Sequence, residues 1–269
     1  MFDALFTTTT EYKKLSHALS GKGACALFGL PASGRAQVYA ALCRQLDKPL
    51  CIVTPGEAEA TRFAADLNTL GIPAAVFPAR DYVLRPIEGT AREYEYRRLA
   101  VLGELVGGRL RAVAVPAEAL TQFTTPKEDF CANTRTLHTG DTLLRDDLLA
   151  ALFGAGYTRR AQVDGPGQFS VRGDIVDIFA PDQKMPVRME FWGDEIDTLH
   201  TFDLTTQRRE DAIDKFYLSP AREVLFGKPA DAAEQLRAFL AKQRGKKKTA
   251  MADCMAADLD LLDGGAVPV

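Results

Sequence analysis

The sequence predicts an α/β protein: a doubly wound parallel-sheet domain of degenerate P-loop type, followed by an α+β domain. Three observations carry this. Up to residue 128, short apolar runs alternate with helical stretches at the spacing of strand–helix–strand units. Beyond Pro126 the alternation stops, and Phe169–Phe179, Val187–Trp192 and Ile196–Phe202 follow as apolar runs separated by turn residues, the pattern of a β-meander. Between the first apolar run and the first long helix lies Gly29-Leu-Pro-Ala-Ser-Gly34-Arg35-Ala36, at the place and glycine spacing of a phosphate loop. The expected domains are 1–128 (degenerate P-loop-like α/β), 129–212 (inserted α+β) and 213–269, a return segment towards the first domain.

Each element has its own warrant. A short helix is expected within residues 1–20, from Leu15, Ala18 and Leu19. Cys25–Phe28, Leu50–Thr54, Ala74–Phe77 and Leu110–Val115 are continuous apolar runs of the kind buried on both faces of a parallel sheet. Helices are expected at Arg35–Leu46, Glu57–Leu70 and Ala91–Val106. The second places Ala60, Phe63, Ala64, Leu67 and Leu70 on one stripe, with Gly71 as its stop. In the middle region Asp141–Gly156 has a helical apolar pattern ended by glycines. Phe216–Leu218 and Glu223–Phe226 are further strand candidates, and Ala230–Ala241 and Asp253–Asp263 are helix candidates around the polar break Arg244–Lys248. The chain reads as the front part of something longer.

Composition excludes several classes. Apolar residues make up 46% and charged residues 26%, ordinary values for a soluble globular protein. No apolar run is long enough to span a bilayer, and the N-terminus lacks the pattern of a secretory signal, so no membrane partner is expected. Five scattered cysteines without a C-x-x-C pair point to reduced thiols in a cytoplasm, and three histidines leave little for a metal site. The net charge of −3 is unevenly spread: +2 over 1–128, −6 over 129–220 and +1 over 221–269. An acidic middle region disfavours broad affinity for nucleic-acid phosphates.

The glycine-rich stretch keeps the shape of a phosphate loop without its chemistry. Such a loop needs a lysine for the β- and γ-phosphates and a hydroxyl for Mg²⁺. Arg35 stands where the lysine belongs, and Ala36 has no hydroxyl. Gly29 and Gly34 alone are weak evidence, and no later Asp-Glu pair on an apolar strand offers a second carboxylate site. No metal, cofactor or catalytic residue is expected for this chain.

Alternation in Val187–Trp192 puts Val187, Met189 and Phe191 towards a core and Arg188, Glu190 and Trp192 on the outward side. A large aromatic among charges is the chain's most informative oddity. The runs Phe-Ser-Val-Arg-Gly-Asp-Ile-Val-Asp-Ile-Phe, Arg-Met-Glu-Phe-Trp-Gly-Asp-Glu-Ile-Asp and Phe-Asp-Leu-Thr-Thr-Gln-Arg resemble the UvrB-homology module of bacterial nucleotide-excision repair. UvrB and the transcription-repair coupling factors share that module. Loss of the phosphate-loop chemistry is similar to the coupling factors' N-terminal copy. So is the short Arg80–Tyr94 connection where UvrB carries a long aromatic hairpin.

The resemblance implies a RecA-like, degenerate sheet domain with an inserted domain that recruits UvrA. It carries the UvrA contact onto Arg172, Arg188 and Trp192 (where the family usually has Phe), with Glu190 between them. It also implies that the parent protein binds stalled RNA polymerase and double-stranded DNA. Its ATP and Mg²⁺ would serve a C-terminal motor absent here, and its C-terminal end would mask the UvrA surface. The alternative is a UvrB-like module that itself binds nucleotide or DNA.

Bland readings stand beside these. Trp192 and Arg188 could be a satellite core aromatic next to a solvated Arg–Glu pair, and Arg172 could pair with Asp174. Gly165, Gly167 and Gly173 read as turn or bulge devices. Arg244–Lys248 reads as a solvated loop, and Tyr94 and Tyr96, flanked by arginines, as part of a domain junction.

Overall fold

A computed structural model describes residues 7–21, 24–46, 48–80, 92–225, 229–242 and 250–263. The chain divides into two compact units, Met1–Arg80 with Ala100–Phe123, and Asp81–Leu99 with Thr124–Val269. No helix among the described residues is long and apolar enough to cross a membrane.

The first unit is a three-stranded parallel sheet of β1 (Leu50–Thr54), β2 (Ala74–Val76) and β3 (Ala112–Pro116), with β3 in the middle. Every residue of β3 is buried, because helices cover both of its faces. Ala112 and Ala114 pack with Ala60, Phe63, Ala64 and Leu67 of α3 (Glu57–Thr69) and with Ala40 and Cys43 of α2 (Ala32–Gln45). Val113 and Val115 face the other way, onto Val101 and Leu105 of α4 (Glu93–Val106). Small residues on one side of the strand and larger ones on the other thus set how closely each helix approaches. Helix α1 (Thr10–Ser20) is capped by the Thr9 hydroxyl, which accepts from the Tyr12 amide at 3.2 Å. Arg111 caps α2, donating through Nη2 to the carbonyls of Cys43 (2.6 Å) and Leu46.

The stripe expected on Glu57–Leu70 is the buried face of α3, and Gly71 (φ +75°) ends that helix. Cys25–Phe28 is not a strand. It forms no ladder with any described strand, and Leu27 and Phe28 are 45% and 88% exposed. Four apolar residues suit a buried strand, but among the described residues no neighbouring strand pairs with them, and all four are exposed.

The second unit is α+β. Its sheet follows the order β10-β9-β8-β7-β6-β5: β5 (Thr158–Arg159), β6 (Gln168–Arg172), β7 (Ile175–Phe179), β8 (Val187–Trp192), β9 (Glu195–Phe202) and β10 (Arg209–Ala212). All neighbours are antiparallel except β5 and β6. Phe169–Phe179, expected as one run, is a hairpin, because Gly173-Asp174 turns the chain just as Gly193-Asp194 does between β8 and β9. Both glycines hold positive φ, +61° and +63°. A two-residue Gly-x loop is the connection that matches strand twist.

One face of this sheet packs Phe169, Val176, Ile178, Val187, Met189 and Leu199 against Leu148 and Leu152 of α7 (Arg145–Gly154). That helix starts at Arg145 rather than Asp141, since the Leu143 amide is drawn to the Asp194 carbonyl at 2.7 Å. The short helix α5 (Ala117–Leu120) directly follows β3 in sequence, and α6 (Lys127–Ala132) leads into β4 (Arg135–His138). Strand β11 (Lys215–Leu218) pairs with β4 and adds Phe216 and Leu218 to the same core. Glu223–Leu225 is not a strand, and Phe226 lies outside the described residues. Helices α8 (Pro229–Lys242) and α9 (Ala250–Asp263) pack together, with an Arg237–Asp263 ion pair. Arg244–Lys248, and most of Arg80–Tyr94, lie outside the described residues.

Gly156 closes α7 in the left-handed region (φ +85°). A Cβ there would stand 2.8 Å from Arg222 Cβ and closer still to its Cγ. Gly156→Ala is therefore expected to destabilise the unit by at least ~1–2 kcal/mol from the backbone alone. Urea denaturation measures this, and an unshifted midpoint would contradict it.

Candidate functional site

Register assembles a polar patch on the sheet face away from the main core. Across β6, β7, β8 and β9, Ser170 lies opposite Asp177, Asp177 opposite Arg188, and Arg188 opposite His200. The adjacent row is Arg172, Ile175, Glu190 and Thr198. Trp192 ends β8 beside this second row, opposite Glu195.

The centre of the patch is Asp177, whose side chain is fully buried. Arg188 donates to it side-on, Nε to Oδ1 at 2.7 Å and Nη2 to Oδ2 at 2.9 Å. Arg172 Nη2 donates to the same Oδ2 at 2.6 Å, and the Ser170 hydroxyl lies 3.5 Å away. A buried carboxylate is tolerable only when paired and hydrogen-bonded, and here two guanidiniums do both. Arg188 is held further by Nη1, which donates to the Gln207 carbonyl at 3.2 Å, and by the Phe202 ring 4.7 Å beneath its guanidinium. The bonds to Asp177 raise the Arg188 pKa above the ordinary arginine value, so it stays charged.

The Gln207 carbonyl is aimed by the turn that follows β9. Asp203 Oδ1 accepts from the amides of Thr205 and Thr206, and the Gln207 amide donates to the Asp203 carbonyl at 2.8 Å. Gln207 is the one non-glycine residue at positive φ (+59°) among those described. Donation from Thr206 holds the Asp203 carboxyl below the usual range. Glu190 accepts from the Thr198 hydroxyl at 3.1 Å and pairs with Arg209 of β10. Arg172, Arg188 and Arg209 thus meet two carboxylates, Asp177 and Glu190.

Access differs among these residues. The Arg188 side chain is 12% exposed and Arg172 49%. Trp192 is 81% exposed, an unburied indole at a hairpin tip.

The alternative pairings and packing that the sequence allowed differ from those in the structure. Arg172 pairs with Asp177 and not with Asp174, because the Gly173-Asp174 turn puts Asp174 round the corner, 3.5 Å from Arg145. Arg188 forms no solvated pair with a glutamate; it lies over Phe202 against Asp177. Trp192 is outside every core cluster, so it is not a satellite core aromatic. Sequence reasoning missed Asp177, Phe202, Gln207 and Arg209. Asp177, an acid flanked by Val176 and Ile178 on an otherwise apolar strand, was the available signal.

The glycine-rich stretch is laid out differently. Ala32 already begins α2, so Gly34, Arg35 and Ala36 are helical. The Gly34 and Arg35 amides both donate to the Pro31 carbonyl, at 3.0 and 3.2 Å. Arg35 lies 3.9 Å from Glu59, Ala36 is buried, and Gly29 holds positive φ (+82°). Phe28, Gly29 and Arg35 line a cleft of about 520 Å³ with Tyr39 and Cys51. Among the described residues no group of three or more His, Cys, Asp or Glu side chains gathers as a metal site.

Residues 136–224 match the UvrB interaction domain family. The chain is 28% identical over 226 residues to the transcription-repair-coupling factor of Bacillus subtilis, covering 82% of this chain and 19% of that protein. The Myxococcus xanthus coupling factor is 35% identical over 208 residues, covering 73% and 17%. UvrABC system protein B of Chlorobium limicola is 28% identical over 226 residues, covering 78% and 32%. The chain therefore spans less than a fifth of the length of these coupling factors.

Proposed function

We propose that this chain, a UvrB-like region similar over most of its length to transcription-repair-coupling factors, is a non-catalytic recruitment module that docks UvrA on the polar face of the β6–β9 sheet. One observation carries the reading: Trp192 is 81% exposed at the end of β8, on the sheet where the buried Asp177 carboxylate holds Arg172 and Arg188. Trp and Arg dominate interface hot spots because they combine large contact area with directed donors. The half-exposed Arg172 guanidinium stands out in a stretch, 129–220, of net charge −6. That pattern favours a partner offering a local acid and disfavours a polyanion.

In the parent protein this module would bring UvrA to stalled RNA polymerase, with ATP, Mg²⁺ and duplex DNA handled by a motor elsewhere in the polypeptide. The first unit would be a degenerate RecA-like sheet. Support for a phosphate loop without function comes from Ala36, which offers no magnesium ligand, and from the Gly34 and Arg35 amides, already spent on Pro31.

Arg172→Ala tests the docking face with little risk to folding, since that side chain is half exposed and makes one bond to Asp177. UvrA affinity is expected to fall about tenfold, ~1.4 kcal/mol, measured by calorimetry. Unchanged affinity would remove Arg172 from the contact.

A further inference from the structure

We infer that Asp177 is the positioning residue of this face: its buried carboxylate sets both guanidiniums and so decides where the exposed positive charge stands. The inference rests on the reading of the face as a UvrA-docking surface. Arg172 and Arg188 sit on β6 and β8, the two strands that flank β7, and among the described residues Asp177 of β7 is the one anion that both touch. Without it, two like charges would share one small patch and repel. Two long side chains would also regain rotamer freedom that binding would then have to remove.

The three bonds are unequal in what they do. Arg188 is fixed by Asp177, the Gln207 carbonyl and the Phe202 ring, and its side chain is 12% exposed. It acts mainly as a brace. Arg172 is tied only by Nη2, so the rest of its guanidinium edge is presented outwards at 49% exposure. A partner carboxylate approaching that edge would find two parallel N–H donors in a planar fork. Asp177 touches no partner in this scheme; it acts through Arg172.

A merely structural aspartate would affect stability and leave binding at matched folded fraction untouched, so the test couples residues. In the chain carrying Asp177→Asn, UvrA affinity is expected to fall about tenfold or more. In that background Arg172→Ala should cost less than about threefold further, while Trp192→Ala should cost as much as in the wild type. An equal cost of Arg172→Ala in both backgrounds would overturn the proposal. Should Asp177→Asn fail to fold, the Arg172→Ala and Arg188→Lys cycle is read instead. Lysine keeps the charge and loses the side-on pair, so coupling is expected, and strict additivity would overturn the proposal.

A readout without partner separates the two ideas. In side-chain NMR of the wild-type chain, the Arg188 Nε–H is expected to exchange slowly, and either Asp177→Asn or Arg188→Lys should remove that signal. Rapid exchange in the wild type would sink the clamp even if UvrA binds. Absence of UvrA binding by the wild type would sink the functional reading and leave the clamp measurable.

Discussion

Glu223→Ala is expected to destabilise the second unit by about 3–5 kcal/mol, the usual cost of breaking a buried ion pair by removing one partner. Glu223 and Arg98 are both fully buried. Arg98 Nε donates to both carboxylate oxygens, at 3.0 and 2.9 Å, and Nη2 donates to Oε1 at 2.7 Å. The backbone of Glu223 is held as well. Its amide donates to Glu95 Oε1 at 2.9 Å, and its carbonyl accepts from the Thr125 hydroxyl. Removal of the carboxylate would take three charge-assisted hydrogen bonds from a fully buried guanidinium. The pair closes a separation of 125 residues, so its loss should be felt by the unit as a whole. Urea denaturation gives the value. The double change Arg98→Met with Glu223→Leu should recover most of it, because an apolar pair of similar volume carries no desolvation cost. A single-mutant loss under about 1 kcal/mol would show that the charge finds another partner.

Trp192→Ala is expected to weaken UvrA binding by about thirtyfold or more, ~2 kcal/mol, with stability unchanged to within about 0.5 kcal/mol. The separation of the two effects follows from exposure. An indole that is 81% exposed and outside every core cluster contributes little to folding. The same exposure leaves its apolar area available for burial by a partner. Its hairpin is short and pinned: Gly193 supplies the turn, and the Leu143 amide bonds the Asp194 carbonyl at 2.7 Å. The ring is therefore presented from a fixed base, which lowers the ordering cost of association. Trp192→Phe should retain most of the affinity, since an aromatic of reduced area stays in place.

The meander, its outward Trp192 and the apolar stripe of α3 follow from periodicity, because a period of 2 or 3.6 is a local property of the chain. Pairings between strands are not local. Nearness in sequence offers Asp174 as one partner for Arg172. The Gly173 turn separates them, and register brings Asp177 opposite Arg188. Gln207 could not be found from pattern at all, since its role depends on a carbonyl turned by positive φ. The buried partnership of Arg98 with Glu223 was equally silent: charged residues default to the surface, and only the tertiary fold brings these two together. Cys25–Phe28 shows the opposite error. Its composition suits a buried strand, yet a strand exists only where a neighbour accepts its hydrogen bonds.

The most direct test of a docking role titrates UvrA into the wild-type chain and the Trp192→Ala chain, side by side in a calorimeter at physiological salt. A saturable complex with the wild type, weakened about thirtyfold or more by the substitution, is the predicted result. No saturable heat with the wild type, or equal affinity for both chains, would contradict it.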